Sequence, residues 1–289
     1  MYQIPHVLRA RNFRLYLARG TSPQETNNCR LVDLWLNGGA AVLGHTPPSL
    51  LRELKNTASR GLYAPLPHFT ENRFLKALSK LLPGRSFRLY AAPPQNLVSF
   101  SENMNLHGLA RVKEEDERKI CSDIKLWRPY TDPLNPFAVD DTPLLIPVLP
   151  GIHTWRGGLP MGLCVVAALT GNAASEELLS RLPPDDALSP IILAIATRGI
   201  YDILAAPERA NPELPRVSKA LKHSRWQRCG IYLNLQEKQK TEEWDTLFHQ
   251  FLKAGFLLPP TPSSPVILPG ELSKGEEIKL ALMLKFDFR

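Results

Sequence analysis

A short cluster of polar and aromatic residues, His153, Trp155 and Arg156, follows an apolar run and precedes the glycine pair Gly157-Gly158. Glycine lets the backbone turn tightly and approach a ligand closely. An arginine beside an aromatic ring is a common arrangement for holding an anion. The cluster therefore predicts residues that line a cavity and bind an acidic group. The alternative is structural: the tryptophan packs under a loop and the arginine faces solvent.

Other kinds of catalytic site lack the spacing that their chemistry needs. The seven histidines show no HxH or HExxH pattern and the four cysteines form no CxxC pair, so no metal site is predicted. No serine lies in a GxSxG nucleophile elbow. Cys29, Cys121, Cys164 and Cys229 are far apart in the sequence, which favours reduced thiols and a cytoplasmic location.

The chain is basic, with a formal net charge of +7. A basic surface attracts nucleic acid or another polyanion, so polyanion binding is one hypothesis. The basic residues are dispersed along the sequence and no RNP, zinc-finger or helix-turn-helix pattern is present, which weighs against nucleic acid. No apolar run approaches the roughly 20 residues of a membrane-spanning helix, so we expect no membrane partner.

Alternating strands and helices must position these residues. Apolar periodicity predicts strands at residues 30–36, 87–91, 144–149, 161–169 and 230–235. Helical spacing predicts helices that begin near residue 47 and cover residues 74–82, 190–204, 241–255 and 275–284. Two short strands, 256–258 and 266–268, are expected to form a small terminal sheet. The proline-rich segment 127–143 is interpreted as an irregular connection or a linker. This alternation predicts an α/β fold.

Three stretches carry a family pattern in the right order. Residues 31–90 contain Asp33 on a strand, Gly38-Gly39, Leu43-Gly44-His45 followed by prolines, and a helix that ends at Pro83-Gly84 before a strand. Residues 157–162 read GGLPMG, and residues 247–260 form a helix and a strand that end in two prolines. In these stretches the chain resembles class III, fold type I aminotransferases, a pyridoxal phosphate-dependent group that includes glutamate-1-semialdehyde aminomutase.

The resemblance implies a reduced fold type I architecture. Such an architecture has a central, mostly parallel sheet and a small α+β domain built from both termini. It would divide the chain into residues 1–55 and 206–289, which form the small domain, and residues 56–205, which form a reduced large domain.

The resemblance also implies a homodimer and a pocket. Residues 60–68, with Leu62, Tyr63 and Leu66 between prolines, would suit a subunit interface. The candidate pocket residues are His45, Tyr63, His153, Trp155 and Arg156.

Two departures from the family bear on catalysis. The family holds pyridoxal phosphate as a Schiff base on a lysine, but no lysine lies between Lys125 and Lys219. Where the family has a phosphate-binding loop, this chain has Ala91-Ala92-Pro93-Pro94, and proline lacks the N–H that a phosphate cradle needs. We therefore expect a pseudoenzyme with a binding or scaffolding role and no cofactor, although the resemblance keeps pyridoxal phosphate open.

Two alternatives remain at this stage. The chain is an active pyridoxal phosphate enzyme whose Schiff-base lysine comes from another position, with Lys113, Lys119 and Lys125 as the nearest candidates. Otherwise it is a basic protein that binds a polyanion.

Overall fold

The computed structural model describes residues 7–9, 30–45, 47–95, 97, 104–105, 123–151, 154–156, 159–235, 241–262 and 264–285 of the 289-residue chain. The strands are β1 (Val7–Arg9), β2 (Arg30–Asp33), β3 (Arg85–Tyr90), β4 (Met104–Asn105), β5 (Ile124–Trp127), β6 (Leu144–Pro147), β7 (Thr154–Arg156), β8 (Leu159–Met161), β9 (Cys164–Leu169), β10 (Trp226–Cys229), β11 (Tyr232–Leu235), β12 (Phe256–Leu257) and β13 (Val266–Ile267). The helices are α1 (Pro48–Ala58), α2 (Phe69–Leu81), α3 (Ala173–Ser180), α4 (Pro190–Leu204), α5 (Pro215–Leu221), α6 (Thr241–Lys253) and α7 (Lys274–Lys285).

The largest sheet has the strand order β3-β9-β6-β5-β4. Strands β4, β5 and β6 run parallel, whereas β9 is antiparallel to both of its neighbours. All of β6 and most of β9 are buried, as continuous apolar runs predict for strands that are covered on both faces. The carboxyl ends of three parallel strands meet at one edge, where open α/β sheets normally bind their ligands.

Helices cover both faces of this sheet. On one face, α1 and α2 pack against α4. Helix α4 is apolar around most of its circumference and buries Leu193, Ile195, Ile200 and Ile203 in the same core. On the other face, residues of α3 pack against β5, β6 and β9. The apolar stripes of the helices are thus buried against a sheet that is itself apolar.

A second core joins residues from both ends of the chain. Strands β10, β11 and β13 form an antiparallel sheet, and β2 pairs with β1 and, in parallel, with β12. Val32 and Leu34 pack there together with Trp226, Phe251 and Leu280. The division into residues 1–55, 56–205 and 206–289 stays a prediction.

The α/β prediction is confirmed, but several local predictions are wrong. Strands β12 and β13 belong to different sheets, because β12 pairs with β2 and β13 with β11. The segment 127–143 is not a free linker: Tyr130 is fully buried, and the indole N–H of Trp127 donates to the carbonyl oxygen of Ala138. Helices α3 and α5 and strand β10 were not predicted from the sequence.

Among the described residues, no single helix is long and apolar enough to cross a membrane. The bent pair Pro190–Leu204 and Pro207–Leu221 meets that requirement only when its two helices are taken together.

Candidate functional site

Asp33 ends strand β2 and builds the turn that follows. Its buried carboxylate accepts the backbone N–H groups of Trp35, at 2.7 Å, and Leu36, at 3.0 Å. The chain then folds into a 3-10 turn over Leu36–Gly39, in which Leu36 and Asn37 have positive φ angles. Such angles are unfavourable for residues other than glycine, and the two hydrogen bonds help to hold them. The strand predicted over residues 30–36 therefore stops three residues early.

The second carboxylate oxygen of Asp33 binds His45, whose Nε2 lies 2.9 Å away. The Asp33 side chain is 2% exposed and the His45 side chain 27%. In a neutral imidazole, a carboxylate at Nε2 selects the tautomer that carries its proton there, which leaves Nδ1 as a hydrogen-bond acceptor. The pair can therefore orient a donor group at Nδ1.

A cavity of about 340 Å³ lies beside this pair, and we call it the His45 cavity. Its volume falls at the lower end of the range for small-molecule sites. The polar side chains of Asp33, Asn37 and His45 line one part of it. The apolar part of the wall includes Leu43, Leu50, Leu51, Leu54, Ile195 and Leu257. Of the lysines and arginines whose side chains the structure describes, none lines it.

Of the five predicted pocket residues, the structure describes the side chains of His45 and Tyr63, and it places His45 in this wall. Tyr63 is 61% exposed in the loop between α1 and α2 and does not line the cavity. Gly151 lines it, and His153, two residues further on, lies outside the described residues. The backbone of Trp155 and Arg156 forms β7, which contacts the turn after β2. The anion-binding role of these residues stays a prediction.

A buried arginine that the sequence analysis did not select lies at the carboxyl end of β5. Arg128 is 3% exposed, and its Nη1 donates to the carbonyl oxygen of Gly38. The guanidinium carbon lies 6.0 Å from the centre of the Tyr232 ring, within the range of a cation–π contact. Burial lowers the pKa of Arg128 to about 10, although Tyr232 acts in the opposite direction. The side chain therefore keeps its charge at neutral pH.

Gly39 packs directly on the ends of two parallel strands. A Cβ atom at Gly39 would lie 3.1 Å from Nη1 of Arg128 and 3.3 Å from Cγ1 of Val148, and the φ of Gly39 is +105°. Val148 follows β6 and is 1% exposed. The turn after β2 thus packs against the residues that follow β5 and β6, and we call this arrangement the closed edge. An open α/β sheet would ordinarily bind a ligand there.

The backbone that follows β3 is engaged by other protein groups. The carboxylate of Asp186 accepts the N–H of Ala91 at 2.9 Å. The carbonyl oxygen of Ala91 accepts the N–H of Gly162 at 2.7 Å. Pro93 and Pro94 supply no N–H. Since a phosphate cradle needs several free backbone donors, this segment is poorly suited to hold a phosphate.

One of the three alternative lysines is described by the structure, and it is paired. Nζ of Lys125 lies 2.5 Å from Oδ2 of Asp140. Burial raises the pKa of Asp140, but the hydrogen bonds from Lys125 and Thr142 outweigh that effect and hold the pKa below its usual value. Lys113 and Lys119 lie outside the described residues. The amine of Lys125 is therefore bound to a carboxylate and does not line the His45 cavity.

A metal centre finds no support in the part of the chain that the structure describes. No group of three or more His, Cys, Asp or Glu residues there is arranged to hold an ion.

Comparison with known sequences yields two relatives of unassigned function, and no family model matches the chain. An uncharacterized protein of Treponema pallidum is 27% identical in an alignment that covers 91% of this chain and 88% of that protein. An uncharacterized protein of Borreliella burgdorferi is 24% identical and covers 94% and 87%, respectively.

Comparison with solved structures identifies the fold. The ornithine delta-aminotransferase of Plasmodium falciparum matches with a TM-score of 0.59 and 12% identity, over 90% of this chain and 89% of that one. The acetylornithine aminotransferase of Elizabethkingia anophelis gives 0.54 and 11%, over 90% and 89%. A transaminase with bound pyridoxal phosphate gives 0.58 and 10%, over 90% and 86%. The chain therefore has the α/β fold of pyridoxal phosphate-dependent aminotransferases.

The described residues do not fit pyridoxal phosphate in the way that this fold usually binds it. The cofactor needs a free lysine amine and backbone donors for its phosphate. Here the amine of Lys125 is paired with Asp140, and the N–H of Ala91 is bound to Asp186. The closed edge also brings Gly39 against Arg128 and Val148 at the ends of β5 and β6.

Proposed function

We propose that this chain is a pseudoenzyme: it keeps the aminotransferase fold, does not carry out lysine-dependent transamination, and works as a binding or scaffolding protein. We further propose that it is a homodimer located in the cytoplasm, with His45, Tyr63, His153, Trp155 and Arg156 as its site residues. The observation that supports the loss of catalysis best is the closed edge, where Arg128 and Gly39 fill the place at which the sheet would hold a ligand.

Equilibrium dialysis of the purified protein against pyridoxal phosphate tests this proposal. We expect no saturable retention of the cofactor and no imine absorption band. The variants Lys125→Gln and Lys219→Gln, which remove one positive charge each, should behave like the parent protein. Saturable retention that is abolished by Lys125→Gln and unaffected by Lys219→Gln would contradict the proposal and establish the alternative of an active enzyme.

The proposed dimer rests on exposed apolar residues in the loop between α1 and α2 and at the first residue of α2. Tyr63 is 61% exposed, Leu66 66% and Phe69 49%. Contiguous apolar side chains at a surface are typical of protein contacts. Sedimentation of Leu66→Glu tests this, with Leu134→Glu as the matched control, because Leu134 is 95% exposed elsewhere on the chain. We expect only Leu66→Glu to shift the protein to monomer. A monomeric parent protein would exclude the dimer.

A second candidate function, binding of a polyanion, is supported by the charge of α1 and α2. Residues 52–80 contain six Lys or Arg and two Glu, a net +4. Exposed Lys76 and Lys80 lie on α2 beside Tyr201 of α4, and Nζ of Lys80 is 5.2 Å from the centre of that ring. Basic side chains around a partly exposed aromatic ring are typical of sites for single-stranded nucleic acid.

Binding of a fluorescent oligouridylate tests this second function. The double variant Lys76→Glu/Lys80→Glu should weaken binding strongly, whereas Lys274→Glu/Lys279→Glu, which changes the net charge equally on α7, should weaken it little. Equal losses in both variants would show that only the total charge matters and would dismiss a specific site.

A further inference from the structure

We propose that the His45 cavity binds a small aliphatic molecule whose head group donates a hydrogen bond, a primary amine or an alcohol, in preference to the matching carboxylic acid. This assignment goes beyond the pseudoenzyme proposal and uses residues of α1 and of the turn after β2 rather than the closed edge.

The volume and the lining of the cavity indicate that the part of the ligand beyond its head group is aliphatic. Leu43, Leu50, Leu54 and Leu257 supply aliphatic walls, and the volume is about 340 Å³. Apolar contact area drives binding in such sites. Leu51, also in the wall, is 42% exposed, so the cavity opens to solvent on the side of α1. A short alkyl chain fits these walls.

The Asp33–His45 pair determines the head group. Asp33 already accepts hydrogen bonds from Trp35, Leu36 and His45. The remaining ring nitrogen of His45, Nδ1, has no hydrogen-bond partner among the described residues. With the proton held on Nε2 by Asp33, this atom accepts a hydrogen bond. A ligand whose head group donates a hydrogen bond to Nδ1 satisfies this acceptor.

The charge of the cavity wall favours a ligand with a hydrogen-bond donor head group over a ligand with a carboxylate. The cavity wall contains the buried carboxylate of Asp33, and among the lysines and arginines whose side chains the structure describes, none balances it from the cavity side. Arg128 bonds to Gly38 and does not line the cavity. A carboxylate ligand would be repelled by Asp33, whereas an ammonium group is attracted. The ring of Trp35, also in the wall, favours a cation as well.

The carboxylate of Asp33 binds the turn directly, because it accepts the backbone N–H groups of Trp35 and Leu36. His45 binds the other oxygen of this carboxylate. His45 adds a partly exposed imidazole that faces a cavity. A ring nitrogen that faces the cavity beside apolar walls is the feature that a ligand explains.

Titration calorimetry with three probes of equal chain length tests the proposal: n-hexylamine, n-hexanol and hexanoate, at about pH 8, where an alkylamine is protonated and a carboxylic acid is ionised. We expect the amine to bind most tightly, the alcohol less tightly and hexanoate not measurably. His45→Ala should weaken the amine about tenfold, as expected for the loss of one charge-assisted hydrogen bond. His223→Ala, at an exposed histidine far along the chain, should leave binding unchanged.

A second variant tests the location without touching the pair. Ala41 lines the cavity, so Ala41→Leu should fill part of it and abolish binding of both the amine and the alcohol, while the circular dichroism spectrum stays that of the parent. Tighter binding of hexanoate than of the amine, or undiminished binding in Ala41→Leu, would overturn the proposal. The order of the three probes does not depend on the outcome of the pyridoxal phosphate experiment.

Discussion

Replacement of Arg128 by methionine tests how the closed edge is held together. The substitution removes the donor to the carbonyl oxygen of Gly38, and Gly38 is itself buried. A buried carbonyl without a partner costs about 1–3 kcal/mol. Loss of the cation–π contact with Tyr232, at 6.0 Å, costs about 0.5–2 kcal/mol more. Methionine avoids the desolvation of a buried charge, which offsets part of the loss. We expect a net destabilisation of about 2 kcal/mol.

Urea denaturation followed by circular dichroism measures this change. The midpoint should fall while the denaturant slope stays constant. Arg60→Met, at an exposed position, is the control and should change stability by no more than about 0.5 kcal/mol. If Arg128→Met is as stable as the control variant, the guanidinium does not hold the turn on the strand ends and the reasoning is refuted.

Three further predictions concern buried positions. Gly230→Ala should prevent stable folding, because a Cβ there would lie 1.8 Å from the carbonyl oxygen of Tyr130; Gly171→Ala, also at positive φ but with open space, should cost only about 1–2 kcal/mol in thermal melts. Burial raises the pKa of Cys164 to about 12. The stability that the neutral thiol contributes is therefore complete below the pKa of an unfolded thiol, about 8.5, and is lost as pH rises towards 12. Cys164→Ala should flatten that decline between about pH 9 and 11, and an unchanged slope would exclude this origin. Burial raises the pKa of Glu277, but hydrogen bonds from the start of α5 outweigh this effect and leave the pKa below its usual value. The ionised carboxylate therefore stabilises the fold above the pKa of an unfolded glutamate, and this stabilisation is lost as pH falls. Glu277→Gln should flatten the acid side of the stability profile below about pH 5.

Elements with a strong local pattern could be predicted from the sequence. The helix predicted over residues 190–204 matches α4, because an apolar periodicity that begins at a proline defines a helix without help from distant residues. The buried run at residues 144–149 likewise contains β6. Partners in a sheet are not encoded locally, which explains why β12 and β13 were wrongly placed in one sheet.

The candidate site could be predicted only in part, for a related reason. His45 was selected through a family pattern, and the structure places it in a cavity wall. Arg128 was missed because it stands in a proline-rich segment that resembles a linker. Only the topology brings it to the carboxyl end of β5 and beneath Gly38. The sequence contains one feature that points to Arg128: it is a charged residue directly after a buried strand. Parallel sheets bind ligands at such strand ends, so a charged side chain there indicates a ligand site or a side chain that occupies its place.

The central claim is that this aminotransferase fold carries no Schiff-base lysine. The direct measurement is borohydride reduction of the protein after incubation with pyridoxal phosphate, followed by mass analysis of its peptides. The account predicts only scattered, substoichiometric labelling of exposed lysines. One lysine, whether Lys113, Lys119, Lys125 or another, that carries one equivalent of cofactor per chain would contradict it.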